Sequence, residues 1–596
     1  MNIKENIKEE SLTWRYCLSV IGDIFIYQLL TKAVLSLLLL GVNRVAMLLL
    51  SSLGRVAVTT GDFTFLFRNW QGILLLLAGL LVLFLYVAFD INCLILFANK
   101  LLRGEKYTLF SLLKEGFLTL RRFLNGAGIL IVLFISLLAP LTGVGVYVSL
   151  TKNLKIPSFI SSVIDATPLY HAIYLLLLGV LFVAGLLHLF SIFAVVVDSS
   201  KAKDAFRLSR RLMKQNWKDY IGRTLLYLLT VSVIMLSLVI LLIVLIIAIR
   251  LLLPSLFHGS TRMLAVFGIL MITVMMMILG SICAFIYIVR LCRMYYDYQG
   301  REKELAASNQ RRQWLLLIPG TILLTVIMLG ASFVIDTAFE EIFVKEITTG
   351  VVAHRGGGAE GPENTVQGLE KALEYDIYGS EIDIQRTADG YYIINHDATF
   401  DRLCGVDKVP EEMTLEQIQQ LLISDPNYPD THPGISTFEE MLEASRGRTL
   451  LFVELKGATA DRQMIDDAVR IIKEHGMEKE CVLISLQYDI IDYAETTYPE
   501  MQTGYLMFAS FGDVASLHCD YLGLEEETAT SSMIDSIHDR NKKVLVWTPN
   551  TVDAQRYFLN SEADAIITDN VSQAFRIIDE LRYRSDIELF LDKLVP

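Results

Sequence analysis

For its first 340 residues the chain alternates long apolar runs with short polar stretches. Beyond that point the apolar runs shorten and alternate with helix-period patterns. A bilayer crossing needs roughly 20 mostly apolar residues. Seven segments meet that requirement, at 24–50, 72–97, 125–150, 170–196, 221–252, 263–289 and 314–336. Asp23, Lys32 and Arg44 interrupt the first, which leaves a re-entrant hairpin or a start near Cys17 as alternatives. The fifth is long enough that it must tilt or protrude.

From Gly350 onward the short apolar runs predict strands at 351–354, 380–385, 391–395, 450–455, 481–486, 503–507, 521–524, 543–547 and 565–568. Helical patterns fall between them, at 365–375, 414–421, 438–445, 461–475, 490–497, 531–540 and 554–559. Regular strand–helix alternation implies a parallel sheet, and about eight such units point to a closed barrel more than to an open sheet. The expected architecture is a multi-span α-helical membrane domain over residues 1–340, followed by an α/β domain of (β/α)8 TIM-barrel type over 341–596.

Charge divides the chain at the same place. Of 52 Lys and Arg and 65 Asp and Glu, residues 1–340 hold 31 and 17, which leaves 21 and 48 for the remainder. The first part is therefore net +14 and the second −27. An acidic surface repels nucleic acid, so no such partner is expected. The positive charge sits in alternate loops: Lys100 to Arg122, Lys201 to Arg223, and Arg290 to Arg312. These loops are expected to be cytoplasmic. The amino terminus is then cytoplasmic as well, and the barrel extracellular, on a multi-pass plasma-membrane protein. The first ten residues mix Lys4 and Lys8 with three glutamates and precede no small-residue cleavage site, which reads as an uncleaved anchor.

Two stretches, 107–123 and 204–220, repeat a basic, partly amphipathic pattern between spans, suited to an anionic leaflet or simply to the positive-inside bias. Asp90 and His188 lie inside apolar runs, where ionisable groups line a site or bond between helices. Seven cysteines without a C-x-x-C pair argue against a disulfide framework and against a zinc site.

The chemistry gathers at predicted strand ends: His354 and Arg355, Glu381 and Asp383, His396, and Glu454 with Lys456. Barrel enzymes work at the carboxyl ends of their strands, and residues two apart on a strand point the same way. Glu381 and Asp383 can therefore share one cation, and Glu454 and Lys456 can face one phosphate. Carboxylates suit a hard ion, and two histidines suit proton transfer. Each residue also has a plainer reading: Lys456 as a surface charge, Glu363 as a helix cap, Trp547 as packing at the barrel mouth. Glu411-Glu412 and Glu525-Glu-Glu527 are read as solvated faces.

These residues resemble the glycerophosphodiester phosphodiesterase family over roughly 348–580. The resemblance rests on His354-Arg-Gly-x5-Pro-Glu-Asn-Thr365, Glu381-x-Asp383, His396-Asp397, Glu454-x-Lys456, Val546-Trp-Thr-Pro-Asn550 and Ile566-Ile-Thr-Asp569. Asn570-Val571 departs from the family, which often has a proline there. The first half is similar to the multi-span domain fused to these enzymes in Gram-positive bacteria. The resemblance implies hydrolysis of a glycerophosphodiester to a glycerol phosphate and an alcohol, with one divalent cation, Ca2+ or Mg2+. It implies Glu381, Asp383 and Glu454 as metal ligands and His354 and His396 as the acid–base pair. Arg355 and Lys456 would then meet the phosphate, and Glu363 the metal-side network or a glycerol hydroxyl; Trp547, read from its own chemistry, is packing at the barrel mouth or a wall for the substrate's carbon atoms.

Expected substrates are small glycerophosphodiesters or glycerol-phosphate polymers such as lipoteichoic acid, with membrane lipids as partners and the oligomeric state open. Rival readings are phospholipase-like cleavage of lysophospholipids or phospholipids, a degenerate binding or sensing barrel, and a transporter with an attached hydrolase.

Overall fold

The structure, a computed structural model, describes residues 20–52, 55–60, 69–124, 167–252, 261–301, 311–340 and 347–594, with isolated positions between them. The chain forms two compact units. One comprises 1–45, 74–156 and 162–339; the other comprises 46–73, 157–161 and 340–596.

The helices of the amino-terminal half are α1 (Ile21–Ser51), α2 (Trp70–Leu102), α3 (Leu109–Thr119), α4 (Pro168–His188), α5 (Ser191–Val197), α6 (Ala202–Leu252), α7 (Thr261–Asp297) and α8 (Arg311–Thr337). Six stretches among the described residues are long and apolar enough to cross a membrane: Ile21–Ser51, Trp70–Leu102, Pro168–Val197, Ala202–Ala248, Arg262–Asp297 and Pro319–Thr337. They match six of the seven expected spans; 125–150 lies almost wholly outside the described residues. This is a multi-pass membrane protein.

α1 is continuous, not a hairpin. The stretch 204–220 is not a separate helix either, because it runs on into the apolar part of α6. At 1.5 Å per residue a helix of 51 residues is about 75 Å long, more than twice a bilayer's hydrocarbon thickness, so α6 must protrude. α3 stands alone, started by a capping box between Thr108 and Ser111. The ionisable groups inside the apolar runs have ordinary partners. Asp90 accepts a 2.8 Å hydrogen bond from the Tyr27 hydroxyl across two helices, and the His188 ring meets Phe206 edge-on at 4.9 Å.

In the second unit, eight parallel strands close into a barrel. They are β2 (Gly350–Ala353), β3 (Gly379–Arg386), β5 (Leu450–Leu455), β6 (Cys481–Ser485), β7 (Gln502–Met507), β9 (Tyr521–Glu525), β10 (Lys543–Trp547) and β11 (Ala565–Thr568). Pairing of β2 with both β11 and β3 completes the ring. β4 (Tyr392–Ile394) lies antiparallel on the end of β3. Alternation along each strand sorts two apolar layers. Val352, Phe452, Ile484, Leu506, Leu545 and Ile567 form an inner cluster. Ile382, Val453 and Leu483 instead pack outward against helices such as Arg462–Glu474. Six of the flanking helices begin at a Thr or Asp whose side chain accepts a backbone N–H of the first turn (Thr365, Thr414, Thr437, Asp461, Thr530 and Thr551). Each such cap is worth about 1 kcal/mol.

Two short strands were not expected. β1 (Ala57–Thr59) pairs antiparallel with β8 (Ser510–Gly512), which follows β7 at the carboxyl end of the barrel.

Candidate active site

The inner faces of the strands turn from apolar to ionisable toward their carboxyl ends. Glu381 and Asp383 point inward from β3, and the parallel register sets Asp383 beside Glu454 of β5. One carboxylate oxygen from each of the three lies within 4.8 Å of the others, and all three residues are buried. Lys456 reaches back over them, with Nζ at 2.9 Å from Asp383 Oδ1 and 3.2 Å from Glu454 Oε2.

The loop after β2 folds tightly over this cluster. Arg355 and Asn364 both take left-handed backbone conformations, with φ of 51° and 53°. That bend lets the Arg355 N–H donate to Glu381 Oε2 at 2.8 Å, and Asn364 Nδ2 to Asp383 Oδ2 at 2.9 Å. Gly358 has φ +61°, and a Cβ there would sit 2.5 Å from the Asp569 carbonyl oxygen. Glycine is required here by conformation and by space alike.

The two histidines have different surroundings. His354 Nδ1 donates to Asp569 Oδ1 at 2.7 Å, and its Nε2 lies 3.9 Å from Glu381. Burial alone would lower its pKa, but the charge and hydrogen bond of Asp569, helped by Glu381, leave it above the ordinary value. His396 Nδ1 donates to Asp397 Oδ1 at 2.9 Å, while its Nε2 stands 3.0 Å from an Arg355 guanidinium nitrogen. A guanidinium can only donate, so Nε2 of His396 accepts, which makes that ring the neutral tautomer. Arg402 ties the outer edge together through a forked contact with Glu363 at 2.5 and 2.9 Å, and through Asp397 at 2.6 Å. Arg355 also meets Glu363, at 3.4 Å. Burial opposes ionisation of Glu363, yet the two arginines hold its carboxyl below the usual range.

The carboxylate set fits a divalent cation. Glu381 Oε1 is buried without a hydrogen bond, and Asp383 Oδ1 has only the ionic contact of Lys456. Burial, reinforced by the charge of Asp383, pushes the Glu381 pKa up, whereas at Asp383 the charges of Lys456 and Arg355 and the Asn364 hydrogen bond together outweigh burial and pull its pKa down. A hard cation would relieve that repulsion and use the bare oxygens.

Eight of the nine residues read from sequence therefore converge. The ninth, Trp547, ends β10 and packs on the inner apolar cluster. Asp569, Asn364, Asp397 and Arg402 join the network without having been assigned roles, although all but Arg402 lie within the quoted motifs. Glu525 corrects an expectation: it is not on a solvated face but buried at the end of β9, beside Trp547 in register. The strand runs one residue beyond the apolar run 521–524 that predicts it.

The family described as "Glycerophosphoryl diester phosphodiesterase family" matches residues 354–573, and the "Membrane domain of glycerophosphoryl diester phosphodiesterase" matches 15–334. The chain belongs to the glycerophosphodiester phosphodiesterase family. The barrel of this membrane phosphodiesterase is 25% identical over 241 residues to a glycerophosphodiester phosphodiesterase of Caldanaerobacter subterraneus subsp. tengcongensis, a match that spans 38% of this chain and 97% of that one. A Bacillus altitudinis glycerophosphodiester phosphodiesterase is 25% identical over 247 residues, 39% of this chain and all of the other. Among solved structures, an Oleispira antarctica phosphodiesterase in complex with the product sn-glycerol-3-phosphate is 26% identical, covers 39% of this chain and 96% of its own, and superposes with a TM-score of 0.36. The phosphodiesterase is thus an enzyme of glycerophosphodiester hydrolysis anchored to a multi-span membrane domain.

Proposed function

We propose that the barrel hydrolyses glycerophosphodiesters by paired histidine acid–base catalysis at a divalent-cation site on the outer membrane face. The observation that carries this reading is the contrast between the two histidines above one carboxylate cluster. Glu381, Asp383 and Glu454 would hold Ca2+ or Mg2+. The ion would supply charge neutralisation for a phosphodiester that otherwise resists nucleophiles. Arg355 and Lys456 then bind the phosphate oxygens, Glu363 keeps Arg355 aimed, and Trp547 walls the carbon chain. His396, whose Nε2 lone pair accepts from Arg355 while no substrate is bound, takes the proton of the attacking hydroxyl at Nε2 once Arg355 turns to the phosphate. His354, kept protonated by Asp569, gives its proton to the leaving alkoxide.

Two observations support an outer location. The basic loops described above fit a cytoplasmic side. Parity fits as well: β1 and β8 pair, so residues 57–59 and 510–512 share one side of the membrane. Five of the described apolar stretches lie between them, an odd number. One further crossing is needed, and the apolar segment 125–150 is the sequence's candidate for it. With seven spans, the amino terminus and barrel lie on opposite sides.

The test uses the full-length protein with glycerophosphocholine, glycerophosphoethanolamine and a poly(glycerol phosphate), each with Ca2+, Mg2+ or EDTA. Glycerol phosphate release should need the metal and fall about 10²–10⁴-fold in His354→Ala. Independently of turnover, cation at a hundred times its Kd should stabilise the barrel by about 2.7 kcal/mol, seen as a rise in Tm. Glu381→Gln should abolish that rise. A barrel whose Tm ignores both ions would sink the metal reading, and the preferred substrate decides between small diester and polymer.

A further inference from the structure

Within the membrane domain, α4 and α6 leave a cavity between them. The two helices are pinned at Ser209 of α6. Its hydroxyl donates to the Leu187 carbonyl at 2.9 Å and accepts the Phe190 N–H at 3.0 Å. One turn earlier on α6, Phe206 meets His188 edge-on. Toward Ile221 the helices, which run antiparallel, part and leave a cavity of about 310 Å³. Val183 and Leu187 of α4 line it, with Met213, Lys214, Trp217 and Ile221 of α6. Tyr220 lines it too, and its hydroxyl lies 3.0 Å from that of Tyr287 on α7, which fixes this wall in place. The volume falls at the lower end of the roughly 300–1,000 Å³ typical of sites for small molecules.

The chemistry of the cavity changes along α6. Arg207, Arg210, Lys214, Trp217, Ile221 and Leu225 follow one another at steps of three and four residues, which places them on one helix face. That face passes from cations, through an indole, to bare hydrocarbon. The acidic residues nearby are already engaged, since Asp204 pairs with Arg207 at 3.4 Å and Asp219 with Arg223 at 2.9 Å. Arg210 and Lys214 are exposed and have no carboxylate partner among the described residues. Lys218 adds a third cation, its Nζ 5.6 Å from the centre of the Trp217 ring. Trp217, Val183, Leu225 and Leu228 each leave half or more of their surface uncovered. On a multi-pass membrane protein such apolar surface meets lipid, so the occupant of the cavity comes from the bilayer. Its apolar walls take a hydrocarbon chain, and uncompensated cations beside a boundary tryptophan take an anion at headgroup level.

We infer that the cavity between α4 and α6 is a binding site for an anionic glycerophospholipid of the surrounding membrane. Its phosphate sits at Lys214 and Arg210, and an acyl chain lies along Val183, Leu187 and Ile221. No carboxylate or imidazole lines the cavity, so this site holds its lipid and does not hydrolyse it. The lipid is then a resident part of the membrane domain, filling the wedge that the Ser209 pin leaves open.

Native mass spectrometry of the full-length protein tests this, after delipidation in detergent and addition of equimolar phosphatidylglycerol and phosphatidylcholine with identical chains. Each chain should retain one phosphatidylglycerol in preference to phosphatidylcholine by about fivefold or more, the weight of one cation at a lipid surface. Lys214→Ala, at an exposed position without an ion pair, should lower that preference by about fivefold. Lys114→Ala, which removes an exposed cation of α3 that does not line the cavity, should leave it unchanged. Val183→Trp fills the wedge from its open side and should abolish retention of that lipid whatever its headgroup. Equal retention of the two lipids by the wild type, or a preference that Lys214→Ala leaves intact, would overturn the inference, because positive charge would then be attracting lipid at large. Displacement of phosphatidylglycerol by equimolar dodecyl phosphate would overturn it as well, in favour of a site for single-chain anions.

Discussion

Asp569 shows how one side chain can set the acid of this site. Its carboxylate, held by Asn550 at 2.6 Å on one oxygen, takes the His354 Nδ1–H on the other. Burial opposes the imidazolium, and the charge and hydrogen bond of Asp569, with the charge of Glu381, together outweigh it, so the folded pKa of His354 lies above its ordinary value. A group with a raised pKa stays protonated until pH climbs through that higher value. If His354 works as the acid, activity falls on the alkaline side at that point. Asp569→Asn removes the charge but keeps the shape. Its alkaline limb of kcat/KM, measured at saturating cation, should therefore move to lower pH, with the acid limb left in place. A parallel loss of rate at every pH would show that Asp569 only holds the ring in position. The aspartate is visible in the sequence as the end of Ile-Thr-Asp569, yet its role is not. The contact spans 215 residues and depends on ring closure between β2 and β11. The carboxylate triad was readable because a period of two fixes which way Glu381 and Asp383 point. Arg402 carries no such local mark: it sits on a four-residue helix, and its fork to Glu363 is purely tertiary.

At the scale of elements, the barrel strands were legible to within a residue or two because their interiors are nearly all apolar, as a covered parallel sheet demands. The β1–β8 ribbon was not. Ala-Val-Thr is too short to show a period, and its partner lies some 450 positions later in the chain. The basic, partly amphipathic stretch 204–220 reads as a stretch between spans, but helical hydrogen bonding is indifferent to side-chain charge and α6 continues through it. The loop after β2 carries a prediction of its own. Gly358→Ala puts a methyl against the Asp569 carbonyl in a left-handed backbone, and neither partner is a flexible side chain. It should cost about 1–3 kcal/mol, read as a lower barrel Tm, and should depress kcat by displacing Asp569 from His354. Gly390, also left-handed at φ +85° but with open space around it, is the control. Gly390→Ala should show strain of about 1 kcal/mol and near-normal kcat. Equal kcat in the two variants would mean that the loop does not position the acid.

For the whole molecule, the crossing count and the ribbon constrain each other. A strand pair cannot form through a bilayer, so the β1–β8 junction requires an even number of crossings between residues 59 and 510. That requirement is independent of loop charge, which argues for the same topology from electrostatics. The two can be tested together by labelling with a membrane-impermeant maleimide in intact cells. Asn427→Cys, exposed on the barrel, should label without permeabilisation; Lys203→Cys, exposed at the start of α6, and Ser11→Cys, near the amino terminus, should label only after it. The native cysteines give little background, since six are buried and Cys404 is half-buried. Labelling of Ser11→Cys and Asn427→Cys from the same side would make the crossing count even and leave β1 stranded across the membrane from β8. Labelling of both barrel and basic loops from outside would contradict the charge argument while leaving the ribbon possible. Only the expected pattern satisfies the strand pairing and the loop charges together.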